Sequence, residues 1–334
     1  MVQDDDARPA PKCHDVGVSD ITRPQRTPKQ RAIDAIATTR ESGGFFYAHF
    51  VGVRGGTTDV GRSQLAVLPA PGQPRPSTMA VGTLADLALG SALRSALGTG
   101  LLMPTVDLTL TLVREPRGEV VAQALALPKA TGSDTATASC DLSDSDGRVG
   151  LASGTFALRP AAGAVRSMPW DTALSSTRPA DRPGPPSLAP GDLSPEERAC
   201  LEAVTDDGGG ASGGVDAVDD ALLGFSASPH ESENTRVEAR VGPTLANRAG
   251  YLHGGALIAL VARTARAALG PQPSDLHTVT LQFLRPITGP ELSGSASVLR
   301  RGRSSGVVAV DVMGLRQGQG VPLTTALVGL KVGR

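Results

Sequence analysis

Two stretches of this chain, roughly 78–97 and Gly255–Leu269, have helix-forming compositions and are apolar on nearly every face. A surface helix needs only one apolar stripe, so a helix that is apolar all round has to be buried on most sides. Each stretch is followed by four runs rich in β-branched residues, at 104–114, 119–127, 134–141 and 149–158, and again at 277–285, 291–300, 305–314 and 321–332. Strands wrapped as a strongly curved antiparallel sheet around one helix would bury it, and the chain carries the parts for two such units. Its 334 residues suit two domains of ordinary size, and 40% hydrophobic residues are enough for two cores. Aromatics make up only 3%, so those cores are expected to be Ala, Val and Leu.

The two halves can be read side by side as an internal repeat. Ser77-Thr-Met-Ala-Val-Gly-Thr-Leu-Ala-Asp86 parallels His253-Gly-Gly-Ala-Leu-Ile-Ala-Leu-Val-Ala262. Pro104-Thr-Val-Asp-Leu parallels His277-Thr-Val-Thr-Leu. Ahead of the first long helix, a helix near 29–40 is expected, then strands at Phe45–Val53 and Thr58–Leu68. Ahead of the second, a helix at about 215–223 leads to strands at Gly224–Ser228 and Thr235–Val241. Residues 1–28 are charged and proline-punctuated and read as a disordered tail. The domains are therefore set at 29–159 and 215–334. Between them 160–214 is a Pro/Gly-rich linker, in which the proline-dense 160–195 reads as extended and Asp206–Gly214 as a flexible patch.

A formal charge of −1 gives no support for nucleic-acid binding. Three cysteines, Cys13, Cys140 and Cys200, have no metal-type spacing and read as reduced thiols of a cytoplasmic protein. The N-terminus has no apolar core of a secretory signal, and no apolar run reaches the roughly 18 residues of a membrane span. Neither a metal nor a cofactor is implied, and no phosphate-cradling loop, Ser-His-Asp elbow or dinucleotide fingerprint is visible.

The chemistry concentrates in Asn247-Arg-Ala-Gly-Tyr-Leu-His253-Gly254-Gly255, which runs straight into the second apolar helix. This segment resembles the active-site segment of PaaI-like hotdog-fold acyl-CoA thioesterases. The resemblance implies an α+β double hotdog: two curved antiparallel sheets, each wrapped around a long central helix, side by side as a pseudo-dimer. In that family an Asp sits nine residues after the His. Here that position is Ala262, while the first half keeps Leu-Ala-Asp86 but has Ser77, Thr78 and Met79 where His-Gly-Gly is expected. Nine residues of helix turn through roughly 900° and rise about 13.5 Å, so the two ends of such a segment face opposite sides. In the resembling family each site takes its acid from one hotdog and its Asn and Gly from the other. One complete site, Asp86 with Asn247 and Gly254, and one abandoned site, Ala262 with Ser77–Met79, are thereby implied.

The resemblance assigns the roles. The Gly254 N–H at a helix N-terminus would polarise the thioester carbonyl. Asn247 would add a donor or hold the loop. Asp86 would act as general base or nucleophile, and Thr105 would orient the water. Each residue also has a plain structural reading: Asp86 as a solvated helix residue, His253 as a loop-shaping hydrogen bonder, Thr105 as an ordinary strand residue, the glycines as a tight turn. The turn Arg300-Arg301-Gly302-Arg303 resembles the family's contact to coenzyme A phosphates, or is a solvated hairpin. Acyl-CoA hydrolysis is the leading reading, with coenzyme A as part of the substrate. A non-catalytic acyl-thioester binder is the alternative. A double-hotdog hydratase is disfavoured because no His has an Asp five residues before it. A homodimer of double hotdogs is also implied.

Overall fold

The computed structural model describes residues 27–70, 72–161, 168, 188–204, 216–224, 226–227, 235–240, 242–270, 274–287, 291–316 and 319–333. The first half runs α1 (Pro28–Ser42), α2 (Phe46–Phe50), β1 (Val53–Asp59), β2 (Arg62–Val67), α3 (Thr78–Leu97), β3 (Leu101–Leu102), β4 (Thr105–Leu112), β5 (Val120–Ala126), β6 (Thr135–Asp144), β7 (Gly147–Ala157) and β8 (Arg159–Pro160). After α4 (Pro195–Ala203), the second half runs α5 (Ala217–Leu223), β9 (Ser226–Ala227), β10 (Thr235–Arg240), α6 (Gly254–Leu269), β11 (Ser274–Phe283), β12 (Glu291–Arg301), β13 (Ser305–Arg316) and β14 (Gln319–Val332).

Six strands of each half join in one twelve-stranded antiparallel sheet, in the order β1-β2-β5-β6-β7-β4-β11-β14-β13-β12-β10-β9. Counted outward from the β4–β11 seam, the two halves have the same topology. The expected pair of sheets is thus a double hotdog whose sheets are continuous. At the seam Leu108 pairs with Leu281, the residue it matches in the internal repeat, and both are fully buried. Pairing of a residue with its own counterpart marks the pseudo-two-fold axis. Across the same seam the Thr109 hydroxyl donates to Thr280 Oγ1 at 3.2 Å.

The long helices cross on this axis. A Cβ added at Gly82 would lie 2.8 Å from Ile258 Cδ1, and Ile258 is again the repeat counterpart of Gly82. Both helices are defined at their ends by side chains and glycines. Ser77 Oγ accepts from Ala80 N–H and caps α3, whereas His253 caps α6. The two stop at Gly98 and Gly270, which take φ of 87° and 88°, values costly for any residue with a Cβ. Aliphatic side chains such as Leu84, Leu89, Leu257 and Leu260 are fully buried, each contributing roughly 1.5–3 kcal/mol over exposure.

Two expectations are corrected. Phe45–Val53 is not a strand: Phe46–Phe50 is a short helix with Phe46, Tyr47, Ala48 and Phe50 all buried, because consecutive positions find apolar neighbours on every side. A short apolar run does not by itself distinguish strand from buried helix. The expected strand Thr58–Leu68 is the end of β1 and all of β2, folded back at Val60-Gly61. Within 160–214, α4 has a full capping box at Ser194 and Glu197 and docks on α1 through Arg40 Nε to Glu197 Oε1 at 2.6 Å. Of the expected tail 1–28, residues 1–26 lie outside the described residues, as does the glycine-rich patch at 206–214, while Thr27 caps α1 and Pro28 begins it. Among the described residues no helix is long and apolar enough to cross a membrane.

Candidate active site

Asp86 projects from the middle of α3, and the N-terminus of α6 meets it. The Gly254 N–H donates to the Asp86 carboxylate, and the Thr105 hydroxyl donates to Asp86 Oδ1 at 3.3 Å. A Cβ on Gly254 would lie 2.7 Å from Asp86 Oδ2, so only glycine permits this approach. Acid, glycine and hydroxyl, which the sequence spreads over both halves, therefore form one cluster. The plain reading of Asp86 as a solvated residue fails, because its side chain is only 11% exposed. Burial pushes its pKa up to about 6, against the lowering effects of Thr105, the Gly254 N–H and the Arg248 charge.

His253 is buried, and its Nδ1 accepts from the Gly255 N–H at 3.2 Å. That bond places the imidazole proton on Nε2. Burial and the nearby Arg248 charge hold its pKa down at about 3, so the ring is neutral at ordinary pH. Asp86 Oδ2 lies 3.5 Å from Nδ1. With His253 neutral, two acceptors face each other there, so this contact is not an ion pair. His253 thus shapes the helix start.

Asn247 holds the loop. Its Oδ1 accepts from the N–H groups of Ala249 at 2.9 Å and Tyr251 at 3.2 Å. The backbone closes the same loop, with Asn247 N–H to Tyr251 O at 2.6 Å and an isolated bridge between Ala246 and Leu252. Of the two roles open for Asn247, its carboxamide oxygen is committed to this one.

The arginine turn lies elsewhere. Arg301 donates to the carbonyls of Leu269 at 2.6 Å and Ala268 at 3.1 Å, capping the C-terminal end of α6. Gly254 is at the opposite end, roughly 22 Å away at 1.5 Å per residue. Arg300 and Arg303 are exposed beside that turn. Of the triplet expected at coenzyme A phosphates, Arg301 thus has two guanidinium nitrogens on helix carbonyls.

The sequence reading missed a second layer of residues. The His253 ring packs against Tyr47, with ring centroids 4.9 Å apart, and against Phe45 at 5.7 Å. The Tyr47 hydroxyl hydrogen-bonds Thr83 Oγ1 at 2.8 Å, and Thr83 is one turn before Asp86 on α3. A Cβ at Gly255 would meet Thr83 Oγ1 at 2.0 Å. The available signal was Phe45-Phe-Tyr-Ala-His-Phe50, four aromatics together in a chain with nine.

The pseudo-symmetric position is filled differently. Ala262 is fully buried. The Thr78 N–H, counterpart of the Gly254 N–H, donates to Asp216 Oδ1 at 2.9 Å, and the Met79 N–H donates to Asp219 Oδ2 at 3.0 Å. Arg266 Nη1 binds Asp216 Oδ2 at 2.7 Å. Carboxylates from the start of α5 thus occupy the donors of α3. Burial, with Asp216 close by, raises the Asp219 pKa well above the usual carboxylate range.

Solved structures are similar to this chain. A Lactobacillus plantarum protein provisionally named oleoyl thioesterase aligns at TM-score 0.50 and 11% identity, over 82% of this chain and 97% of its own. The tesB protein of Mycobacterium avium subs paratuberculosis aligns at TM-score 0.49 and 15% identity, over 81% of this chain and 93% of its own. A hot dog fold protein of unknown function from Alicyclobacillus acidocaldarius aligns at TM-score 0.49 and 16% identity, over 84% and 96%. At 11% identity the likeness to the Lactobacillus plantarum protein is one of fold. No curated protein matches the chain in sequence. Residues 244–330, which run from the loop ahead of α6 into β14 and include Asn247, His253 and Gly254, match the family model of the acyl-CoA thioesterase N-terminal domain.

Proposed function

We propose that the chain is a thioester hydrolase that cleaves an acyl-CoA to a free acid and coenzyme A at one composite site. The observation that carries this reading is the Asp86 carboxylate seated on the Gly254 N–H, at the start of the segment that matches the thioesterase family. The Asn-and-His-Gly-Gly arrangement supports a site of the PaaI-like kind.

In this reading the substrate carbonyl takes the Gly254 N–H from Asp86. The donor and the α6 dipole then stabilise the oxygen as it gains charge. Asp86, relieved of one hydrogen bond, becomes a stronger base and accepts a proton from water as the water oxygen attacks the carbonyl carbon. The tetrahedral intermediate collapses, the C–S bond breaks, and the proton passes from Asp86 to the departing thiolate. Thr105 keeps the carboxylate oriented throughout. His253 contributes as the neutral cap that fixes the Gly254 N–H in place.

The test is a thiol-release assay over a panel of acyl-CoAs, with wild type beside Asp86→Asn and Asn247→Ala. Turnover by wild type and its loss in Asp86→Asn are expected. Full kcat in Asp86→Asn would overturn the acid assignment, and no turnover by wild type on any thioester would favour a binding protein.

A further inference from the structure

From Met79 to Arg94 every residue of α3 is buried except two, Asp86 and Gly90. They are four apart and so lie one above the other on the same face of the helix. The partly exposed strip of α3 that carries the acid thus continues to a residue with no side chain.

Packing does not demand this glycine. Gly82, on the same helix, has to be glycine because Ile258 Cδ1 would lie 2.8 Å from its Cβ. A Cβ at Gly90 would meet nothing nearer than Phe156 Cε1 at 3.9 Å, an ordinary contact. Mid-helix glycine costs about 1 kcal/mol relative to alanine. Phe156 pairs with Thr105 across β4 and β7, so the open space adjoins the strand residue that holds Asp86. At the abandoned position the counterpart of Gly90 is Arg266, whose guanidinium binds Asp216 and Thr78 Oγ1 and fills the equivalent space.

A coenzyme A thioester ends in a large anionic nucleotide that cannot be buried unpaired. Its pantetheine arm has to run from the reacting carbonyl to solvent. We propose that this arm leaves the site over Gly90, which makes Gly90 a substrate-binding residue for the coenzyme side of the substrate. The inference rests on the thioesterase reading for its substrate class, and its test separates the two.

The experiment measures binding of the non-hydrolysable thioether S-hexyl-coenzyme A by calorimetry, and KM and kcat for acetyl-, hexanoyl- and dodecanoyl-CoA, in wild type, Gly90→Ala and Gly90→Leu. A side chain over the arm removes binding common to ground and transition states. Gly90→Leu should therefore raise Kd and every KM about 10-fold, with kcat at saturation within about 2-fold. Gly90→Ala should show a smaller shift of the same kind and a raised Tm, which guards against misfolding as the cause. A KM effect that grows with acyl length would place the acyl chain over Gly90 and overturn the proposal, as would unchanged Kd or no thioether binding by wild type. If wild type binds the thioether without hydrolysing any thioester, and Gly90→Leu loses the binding, the exit path stands and the hydrolase reading falls.

Discussion

The Asp86 carboxylate, halfway along the helix of one half, is held by the backbone N–H of Gly254, the first residue of the helix of the other. Neither half contains both partners, so the site exists only where the two copies meet.

Replacing Asp86 by Asn tests activity and stability together. Loss of the base should lower kcat by about 10²–10⁴. The raised pKa means that the folded state binds a proton which the unfolded chain has already released between pH 3.8 and about 6. Stability contributed by this group therefore falls as pH rises through that window, and the ionised carboxylate costs on the order of 2 kcal/mol above it. Asp86→Asn should melt higher than wild type at pH 7.5, with the advantage shrinking towards pH 4 in thermal melts at both values.

The same group sets the pH–rate profile. A base with a pKa of about 6 should give kcat/KM that climbs with pH up to that value and then levels. His253, neutral down to a pKa of about 3, should add no second limb near neutrality. Initial rates from pH 4.5 to 8.5 at low substrate would show either one ionisation or a bell, and a bell would assign proton transfer to a second group.

The adjacent glycines should fail differently. Gly254→Ala places its methyl against the tip of the Asp86 side chain, which can rotate away, so kcat should fall about 10²-fold with a small change in Tm. Gly255→Ala drives its methyl to 2.5 Å from the Thr83 backbone nitrogen, which cannot yield. Overpacking there should cost about 3 kcal/mol or more. Urea midpoints and kcat for both variants separate the two roles.

Restoring the missing acid should not restore a second site. Ala262→Asp introduces a carboxylate at a fully buried position, while the Thr78 and Met79 N–H groups are already bound to Asp216 and Asp219. A loss of about 3 kcal/mol or more is expected, with no rise in kcat per chain. A doubled turnover number would mean that the α5 carboxylates yield to substrate.

Arg301→Ala distinguishes a helix cap from a phosphate ligand. Loss of two hydrogen bonds to the end of α6 should lower stability by about 1–2 kcal/mol and leave KM for an acyl-CoA within about 2-fold. A tenfold rise in KM without a change in the urea midpoint would return Arg301 to the substrate.

Much of this was readable in the residues. Two all-apolar helices, each followed by four β-branched runs, pointed to the wrapped-sheet architecture, whereas the pairing of Leu108 with its repeat counterpart Leu281 at the seam was not read from the sequence. Complementary losses at Ala262 and Ser77–Met79 pointed to Asp86 and Gly254 as partners, and the structure brings those two together. The α2 helix was hidden because its aromatics are buried on several sides and leave no period to read. The replacement ligands Asp216 and Asp219 were hidden because capping of one half's helix by the other is a tertiary contact with no local signal. The bonds from Arg301 to the end of α6 were not readable because an exposed basic turn looks alike whether its guanidinium meets a phosphate or a helix carbonyl.

Gly82 against Ile258 has a consequence for how this molecule can evolve. In a dimer of identical subunits a residue on the symmetry axis can only face a copy of itself. Two isoleucines would collide at this crossing and two glycines would leave a hole, so a knob seated in a notch there requires unlike partners. The halves are complements at this crossing, and neither could self-associate through it without rebuilding the centre of its own interface.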